Sequence, residues 1–381
     1  MQQGTVEVID VIRNEQNGIS KKDISPLVSL SWGGLCLVTK RAIEKKIIAV
    51  EKATSVRRGR PCIPLHLIPD AMFFCGVDIG SNSTKLVICD LNFTIYYQQQ
   101  IPTPVYTDRD AFKQWLTAFI SDTLCASKIK KIHGIGIAVS GSVDSVDGII
   151  VSGGNFGMSY GSNIAVDDLS RLLQIPCYAI NSQAASVCAE YHFGQFAHTA
   201  NIVNIGLGVG IGSGIISDSK LLLCRPSNMV GYIGHMLMSG NQYHCKNTSC
   251  NFVGCLEAFS GGNNLAAIVQ KELGLDKKVT TREIDLMASS GHPGAIKLLT
   301  KAAEYNAIGT ATMIQMYSPD VVVFSGGQCK IDGFLYLQTQ QQLLKMVPQE
   351  RQKFQIGLSI LGDYQAALGS ARLAYEQFMI L

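Results

Sequence analysis

The spacing of apolar positions changes character near residue 70, and that change divides the 381-residue chain. Within residues 5–15, Val6, Ile9, Val11 and Ile12 recur at near-helical spacing before an Asn17-Gly18 stop. Ser20 heads a second short helix with Lys21, Lys22 and Asp23 in its first turn and Leu27-Val28 as its apolar contacts, although Pro26 removes a backbone bond inside it. Leu30-Ser31 makes a turn, and a third helix runs from Trp32 to about Lys45 with Leu35, Val38, Ala42 and Ile43 on its inner face. Two strands, residues 47–52 and 63–68, flank the polar tip Ser55-Val56-Arg57-Arg58-Gly59-Arg60-Pro61. Three helices followed by a basic hairpin describe a winged helix-turn-helix domain over residues 1–70.

From Met72 strands alternate with helices. Residues 74–90 read as two strands joined by a Gly/Ser/Asn turn, and residues 135–141 as an apolar strand ending at Ser140-Gly141. Residues 201–216 repeat the theme through Gly206, Gly208, Gly210, Gly212 and Gly214, and Val321–Phe324 runs into Gly326-Gly327. Helical patterns at 110–124, 265–273 and 295–317 lie between them, so the body is α/β with two related lobes. The expected boundaries are 71–193 for the first lobe, completed by a C-terminal helix at 363–381, and 194–362 for the second.

The net charge of +3 becomes informative once it is divided along the chain. Residues 1–70 hold eleven Lys and Arg against seven Asp and Glu, a balance of +4 that leaves −1 for the rest, so the basic excess belongs to the first domain. No apolar run reaches the roughly eighteen residues of a membrane span, and the polar N-terminus lacks the regions of a signal peptide. The expected location is the cytoplasm, where reduced thiols suit metal binding better than disulfides.

Nine of the twelve cysteines, Cys36, Cys62, Cys75, Cys89, Cys125, Cys177, Cys188, Cys224 and Cys329, are scattered through apolar runs and read as small core residues. The other three are not. His235, Cys245, Cys250 and Cys255 fall in one polar, Gly- and Asn-rich run, and one imidazole with three thiolates is the ligand set of a closed, structural zinc site. His244, adjoining Cys245, is the alternative imidazole ligand.

That run, from Gly234-His235 to Gly254-Cys255-Leu256-Glu257, resembles the signature of the family of repressors, open reading frames and kinases (ROK). The family separates its first two cysteines by one residue, whereas four stand between Cys245 and Cys250. The resemblance covers nearly the whole chain and implies a two-lobed actin-like ATPase (ribonuclease H-like) fold, its glycine-rich turns recurring about 130 residues apart. Leu30–Gly34, Ile43-Glu44-Lys45 and Gly59-Arg60-Pro61 resemble the DNA-binding arm of ROK repressors. DNA would then be met by Ser31, Trp32, Lys40 and Arg41 of the third helix, with Lys45 and Lys46 toward phosphates, and by Arg57, Arg58 and Arg60 of the wing. Cys36 and Leu37 stand at the family's base-reading positions and offer no bidentate pairing.

In the family's kinases an Asn-Asp pair supplies the general base, and here the pair is Asn181-Ser182. A lone hydroxyl is no base near neutral pH, so phosphoryl transfer is expected to fall by roughly 10²–10⁴. The phosphate-binding Gly-Thr-Gly is Gly208-Val209-Gly210, the turn from Gly80 to Thr84 is longer than the family's, and the Glu before Gly-His is Tyr232. Asn155, Asn181, His235 and Glu257 match sugar-contacting positions, with turn and N-cap duty as the alternative for the two asparagines. The resemblance therefore implies a regulator, in the first instance a repressor, that binds DNA as a homodimer or homotetramer, senses a sugar or sugar-derived effector, carries zinc and has lost kinase activity. A residual sugar kinase and a degenerate form that binds a protein partner are the rivals.

Overall fold

The computed structural model describes residues 3–15, 17–51, 63–106, 108–153, 157–158, 161–223, 230–238, 242–250 and 252–380. Helices α1 (Gln3–Asn14), α2 (Lys21–Ile24) and α3 (Trp32–Glu44) precede strands β1 (Ile48–Val50) and β2 (Leu65–Leu67), which pair antiparallel with Ile48 opposite Leu67. Ser20 and Ser31 cap α2 and α3, each hydroxyl accepting from a backbone N–H three residues on, at 3.3 Å. Pro26 is accommodated because α2 stops at Ile24 and a separate 3₁₀ turn, Ser25–Leu27, takes the proline in its first turn. The apolar assignment differs in detail: Val8 is buried with Ile9 and Ile12 while Val6 and Val11 are half-buried, and Leu27 is 60% exposed because the turn carries it outward. Ile24, Leu35, Val38, Ala42, Ile48 and Leu65 complete this core. Arg57, Arg58 and Arg60 lie outside the described residues.

The next strands are β3 (Phe74–Ile79), β4 (Ser83–Cys89), β5 (Ile95–Pro102), β6 (Gly134–Val139), the short β7 (Val143–Asp144), β8 (Ile149–Ile150) and β9 (Ile164–Ala165), and β10 (Cys177–Asn181). Helices α4 (Arg109–Ser127), α5 (Val166–Leu173) and α6 (Ser182–Phe193) accompany them. Strands β11 (Ile202–Leu207), β12 (Ile211–Ser217), β13 (Lys220–Leu221), β14 (Val321–Ser325) and β15 (Gln355–Leu358) follow, with helices α7 (Leu256–Ser260), α8 (Gly262–Glu272), α9 (Thr281–Ser289), α10 (Pro293–Tyr317) and α11 (Phe334–Met346), and α12 (Gln365–Ile380) last. The two large sheets have orders β10-β6-β3-β4-β5 and β13-β12-β11-β14-β15. Each puts its first strand in the centre, with the second antiparallel on one side and the fourth parallel on the other. One topology used twice is what the recurring glycine turns foreshadow. The interior strands β6 and β14, beside those centres, are buried along their whole length, which explains their unbroken apolar runs. No helix among the described residues is long and apolar enough to cross a membrane.

The last helix lies on the first sheet. A Cβ on Gly76 would fall 1.9 Å from the Ala367 carbonyl oxygen, one on Gly136 1.8 Å from that of Ser370, and one on Gly369 1.8 Å from that of Ala185 in α6. These three glycines let the backbones of β3, β6, α6 and α12 approach closely. Helix α12 in turn holds α1. Arg372, 1% exposed, donates to both carboxylate oxygens of Asp10 at 2.8 and 2.5 Å and to Glu376 at 2.7 Å. Arg13 also pairs with Asp10, and its guanidinium and that of Arg372 stand 4.9 and 4.8 Å from the Tyr375 ring centre. His192, near the end of α6, reaches Glu376 at 3.4 Å. A single apolar cluster runs from Val8 and Leu35 through Phe74 and Val87 to Tyr375, so the N-terminal helices share a core with the first sheet.

Candidate ligand cleft and metal centre

Glycine-rich turns end the central strands of both sheets, and between them a cavity of about 900 Å³ opens. On its first-sheet side Asn181 ends β10 and caps α6, its Oδ1 accepting from the backbone N–H of Gln183 at 2.8 Å and of Ala184 at 3.4 Å while its Nδ2 donates to the Gly141 carbonyl at 2.8 Å. Both ends of the amide are engaged by backbone. Ser182 opens α6, and its hydroxyl donates to Asp78 Oδ1 at 2.8 Å while accepting from Ser140 at 3.4 Å. Burial pushes the Asp78 carboxyl above the usual carboxylate range, against the pull of Ser182 and Lys85. Ser182 thus sits on the carboxylate nearest to it, oriented as a donor.

From the second sheet Tyr232 reaches across and donates to the same Gly141 carbonyl at 3.0 Å, joining the two walls. Glu257, 3% exposed at the start of α7, accepts from the Ile211 N–H at 2.7 Å; burial raises its pKa, with His235 opposing. In the β11–β12 turn the Gly208 N–H is bonded to the Gly210 carbonyl at 3.0 Å and Val209 supplies no hydroxyl. Asn155 lies outside the described residues. Two polar residues of the cleft had no sequence signal of their own. Gln328 donates to the carbonyls of Gly208 at 2.6 Å and Ser260 at 3.3 Å, and Gln183 packs where side chains on Gly206, Gly212 and Gly214 would otherwise stand. Their only cues were position: Gln328 follows the Gly326-Gly327 turn, and Gln183 follows Asn181-Ser182.

Beside Glu257 the ligand atoms of His235, Cys245, Cys250 and Cys255 all lie within 4.8 Å of one another. A zinc tetrahedron with bonds of about 2.0–2.3 Å has edges just under about 4 Å, so sub-ångström shifts would bring these atoms onto one ion. His235 comes from a 3₁₀ turn, Ile233–His235, and Cys255 caps α7 by accepting from the Ala258 N–H at 3.3 Å. The longer spacing is absorbed by a turn: the Cys250 N–H bonds the Asn247 carbonyl at 2.9 Å and the Ser249 N–H bonds the Asn247 side chain at 2.9 Å, which folds Cys250 back toward Cys245. The hydrogen bond from Cys245, with His235 adding to it, draws the Cys255 thiol down to about 4, while the same hydrogen bond pushes the Cys245 thiol up and burial raises that of Cys250. His235 Nδ1 is buried with no hydrogen-bond partner, which leaves a donor atom for a cation. His244 is not among the clustered residues; its backbone pairs with Val253. The four residues fit zinc, which would tie the 3₁₀ turn, the loop and α7 together.

On the N-terminal domain Ser31, Trp32, Lys40 and Arg41 are all exposed along α3. The Ser31 oxygen is turned inward to its cap, and Lys40 stands 3.9 Å from Glu44, a loose surface pair.

The chain is 22% identical over 340 residues to the xylose repressor of Caldicellulosiruptor bescii, covering 86% of this chain and 83% of that protein. It is 27% identical over 301 residues to the N-acetylmannosamine kinase of Salmonella typhi, covering 78% of this chain and 97% of the kinase. Among solved structures, a ROK-family transcriptional regulator described as a homolog of the E. coli MLC protein superposes on 100% of this chain and 96% of its own, with a TM-score of 0.83 and 22% identity. The superposition carries the fold, a helix-turn-helix domain before two actin-like lobes. The sequence profile of the ROK family matches residues 74–377, the span that holds both sheets, the cleft and the cluster of one histidine and three cysteines, and the chain belongs to the ROK family.

Proposed function

We propose that this protein is a DNA-binding transcriptional regulator, a repressor, whose former kinase cleft senses a sugar or sugar-derived ligand and no longer transfers phosphate. One observation carries the reading: Ser182, where the family resemblance implies the general base, donates its hydroxyl to Asp78, in a chain that also presents a basic helix-turn-helix. The N-acetylmannosamine kinase aligns over nearly its whole length yet leaves about a fifth of this chain unmatched, whereas the regulator structure spans it all. On this reading residues 1–70 are the DNA-binding domain, 71–193 with 363–381 the first lobe and 194–362 the second. Zinc on His235, Cys245, Cys250 and Cys255 orients His235 and Glu257 toward the cleft, where Asn155 and Asn181 are the remaining ligand positions. Ser31, Trp32, Lys40, Arg41, Arg57, Arg58 and Arg60 meet DNA, and a homodimer or a pair of dimers supplies two recognition helices to a palindromic site.

Two measurements test it. With ATP, magnesium and hexoses or N-acetylated hexosamines, no sugar-dependent ADP release above blank is expected; turnover of about one per second or more would return the protein to the kinases. Ser182→Asp alone is not expected to restore transfer, because Val209 and Tyr232 still lack the hydroxyl and carboxylate of the kinases. DNA affinity should fall steeply with salt. Removing Arg57, Arg58 and Arg60 together is expected to flatten the slope of log affinity against log salt by up to about three units, and an unchanged slope would make the wing a solvated hairpin.

A further inference from the structure

The outward stripe of α3 is chemically divided. Leu35, Val38, Thr39 and Ala42 face the core, which turns Gly33, Leu37, Lys40, Arg41 and Glu44 outward, with Trp32 and Cys36 at the edge. Every cation is in the second half. The first two turns present Trp32, 55% exposed, Leu37, 36% exposed, the half-buried Cys36 and Gly33, where an added Cβ would meet nothing within 4 Å. No carboxamide, carboxylate or guanidinium stands there. In a helix-turn-helix these first turns are the ones set against base edges, while later basic residues approach phosphates.

Of the features a base pair displays in the major groove, the donors and acceptors need polar partners, and one alone is apolar: the 5-methyl group of thymine. We propose that α3 reads thymine methyl groups, with Leu37 as the principal contact and Trp32 beside it, while Lys40 and Arg41 hold the backbone and the bare Gly33 permits close approach. The inference rests on the DNA-binding reading and adds to it the chemistry by which sequence is recognised. The cations on the same helix and just past its end are what commit this apolar surface to DNA: Lys40, Arg41, Lys45 and Lys46 are all exposed, and Glu44 is the one acid of the helix.

The test starts from the full-length protein and a random duplex pool. Sites enriched by selection are expected to carry thymines in each half-site, and replacing those by deoxyuridine, which removes only the methyl groups, should weaken binding by about three- to fourfold for each methyl buried. Leu37→Ala, a change at an exposed position, should bring the thymine-to-uracil ratio close to one, and Trp32→Ala should lower it less. Enriched sites that bind equally well with uracil, or a Leu37→Ala protein that keeps the wild-type ratio, would overturn methyl reading and leave DNA binding standing. A pool from which nothing is enriched would overturn the DNA-binding reading itself. In that event a drop in assembly mass for Leu37→Glu would identify the face as a contact between copies of this chain.

Discussion

Alanine in place of Cys255 is expected to take the zinc content from about one ion per chain to none, read by elemental analysis of protein purified without chelator. The thiol has two duties: it is one of the four clustered ligands, and it caps α7 through the Ala258 N–H. A closed thiolate site contributes its binding energy to folding, so the loss should loosen the chain between His235 and Cys255 and free Glu257 from its place beside Ile211. Cys250→Ala separates the two duties. It should abolish the metal just as fully while sparing the cap, and hydrogen exchange in α7 should rise less than for Cys255→Ala. His244→Ala should keep the ion, since His244 stands outside the cluster. Loss of metal on the His244 change and not on the His235 change would reassign the ligands, and wild-type protein without zinc would leave these cysteines as structural thiols.

The second large effect is expected at Arg372. Its guanidinium is buried between Asp10 and Glu376, so Arg372→Ala leaves Asp10 with Arg13 alone and Glu376 with His192 alone and should destabilise the protein by about 3–5 kcal/mol in denaturant unfolding. Replacing Asp10, Arg13, Arg372 and Glu376 together with apolar residues of similar volume should recover most of that, because the penalty lies in the unpaired charges. A loss under about 1 kcal/mol for Arg372→Ala would mean the pair is solvent-screened. The same cluster sets the acid limit. Burial raises the Asp10 pKa, but the hydrogen bond and charge of Arg372 outweigh it and leave Asp10 at about 2 against an ordinary 3.8. A carboxylate depressed in the fold stabilises above its unfolded value and loses that contribution as pH falls through its folded one, here about 2 kcal/mol between pH 4 and pH 2. His192 is lowered by burial and by Arg372, so the unfolded chain binds its proton first and stability should already begin to decline below the ordinary value of 6.5. Stability measured across that range should show both arms, and Arg372→Met should shrink the lower one, Arg13 being left beside Asp10.

What the residues determined by themselves is whatever depends on near neighbours. Ser20 and Ser31 cap the helices they precede, because an N-cap needs only an N–H three residues on. The alternation of strands, the two glycine-rich turns and the quartet of His235 with its three cysteines are local too, the quartet because its ligands lie within twenty-one residues of one another. Pro26 and Leu27 were misplaced by periodicity, since a 3₁₀ turn carries no repeat long enough to read. Tertiary structure alone decided the rest. Ser182 meets Asp78 across 104 positions, Tyr232 meets Gly141 across 91, and Arg372 meets Asp10 across 362. Each pairing is made by folding two surfaces together, and side chains that distant leave no mark on each other's local pattern. Ser182 stands where the family resemblance implies a base; only the fold turned its hydroxyl onto Asp78, and only the return of the last helix to the first sheet joined the N-terminal helices to the body.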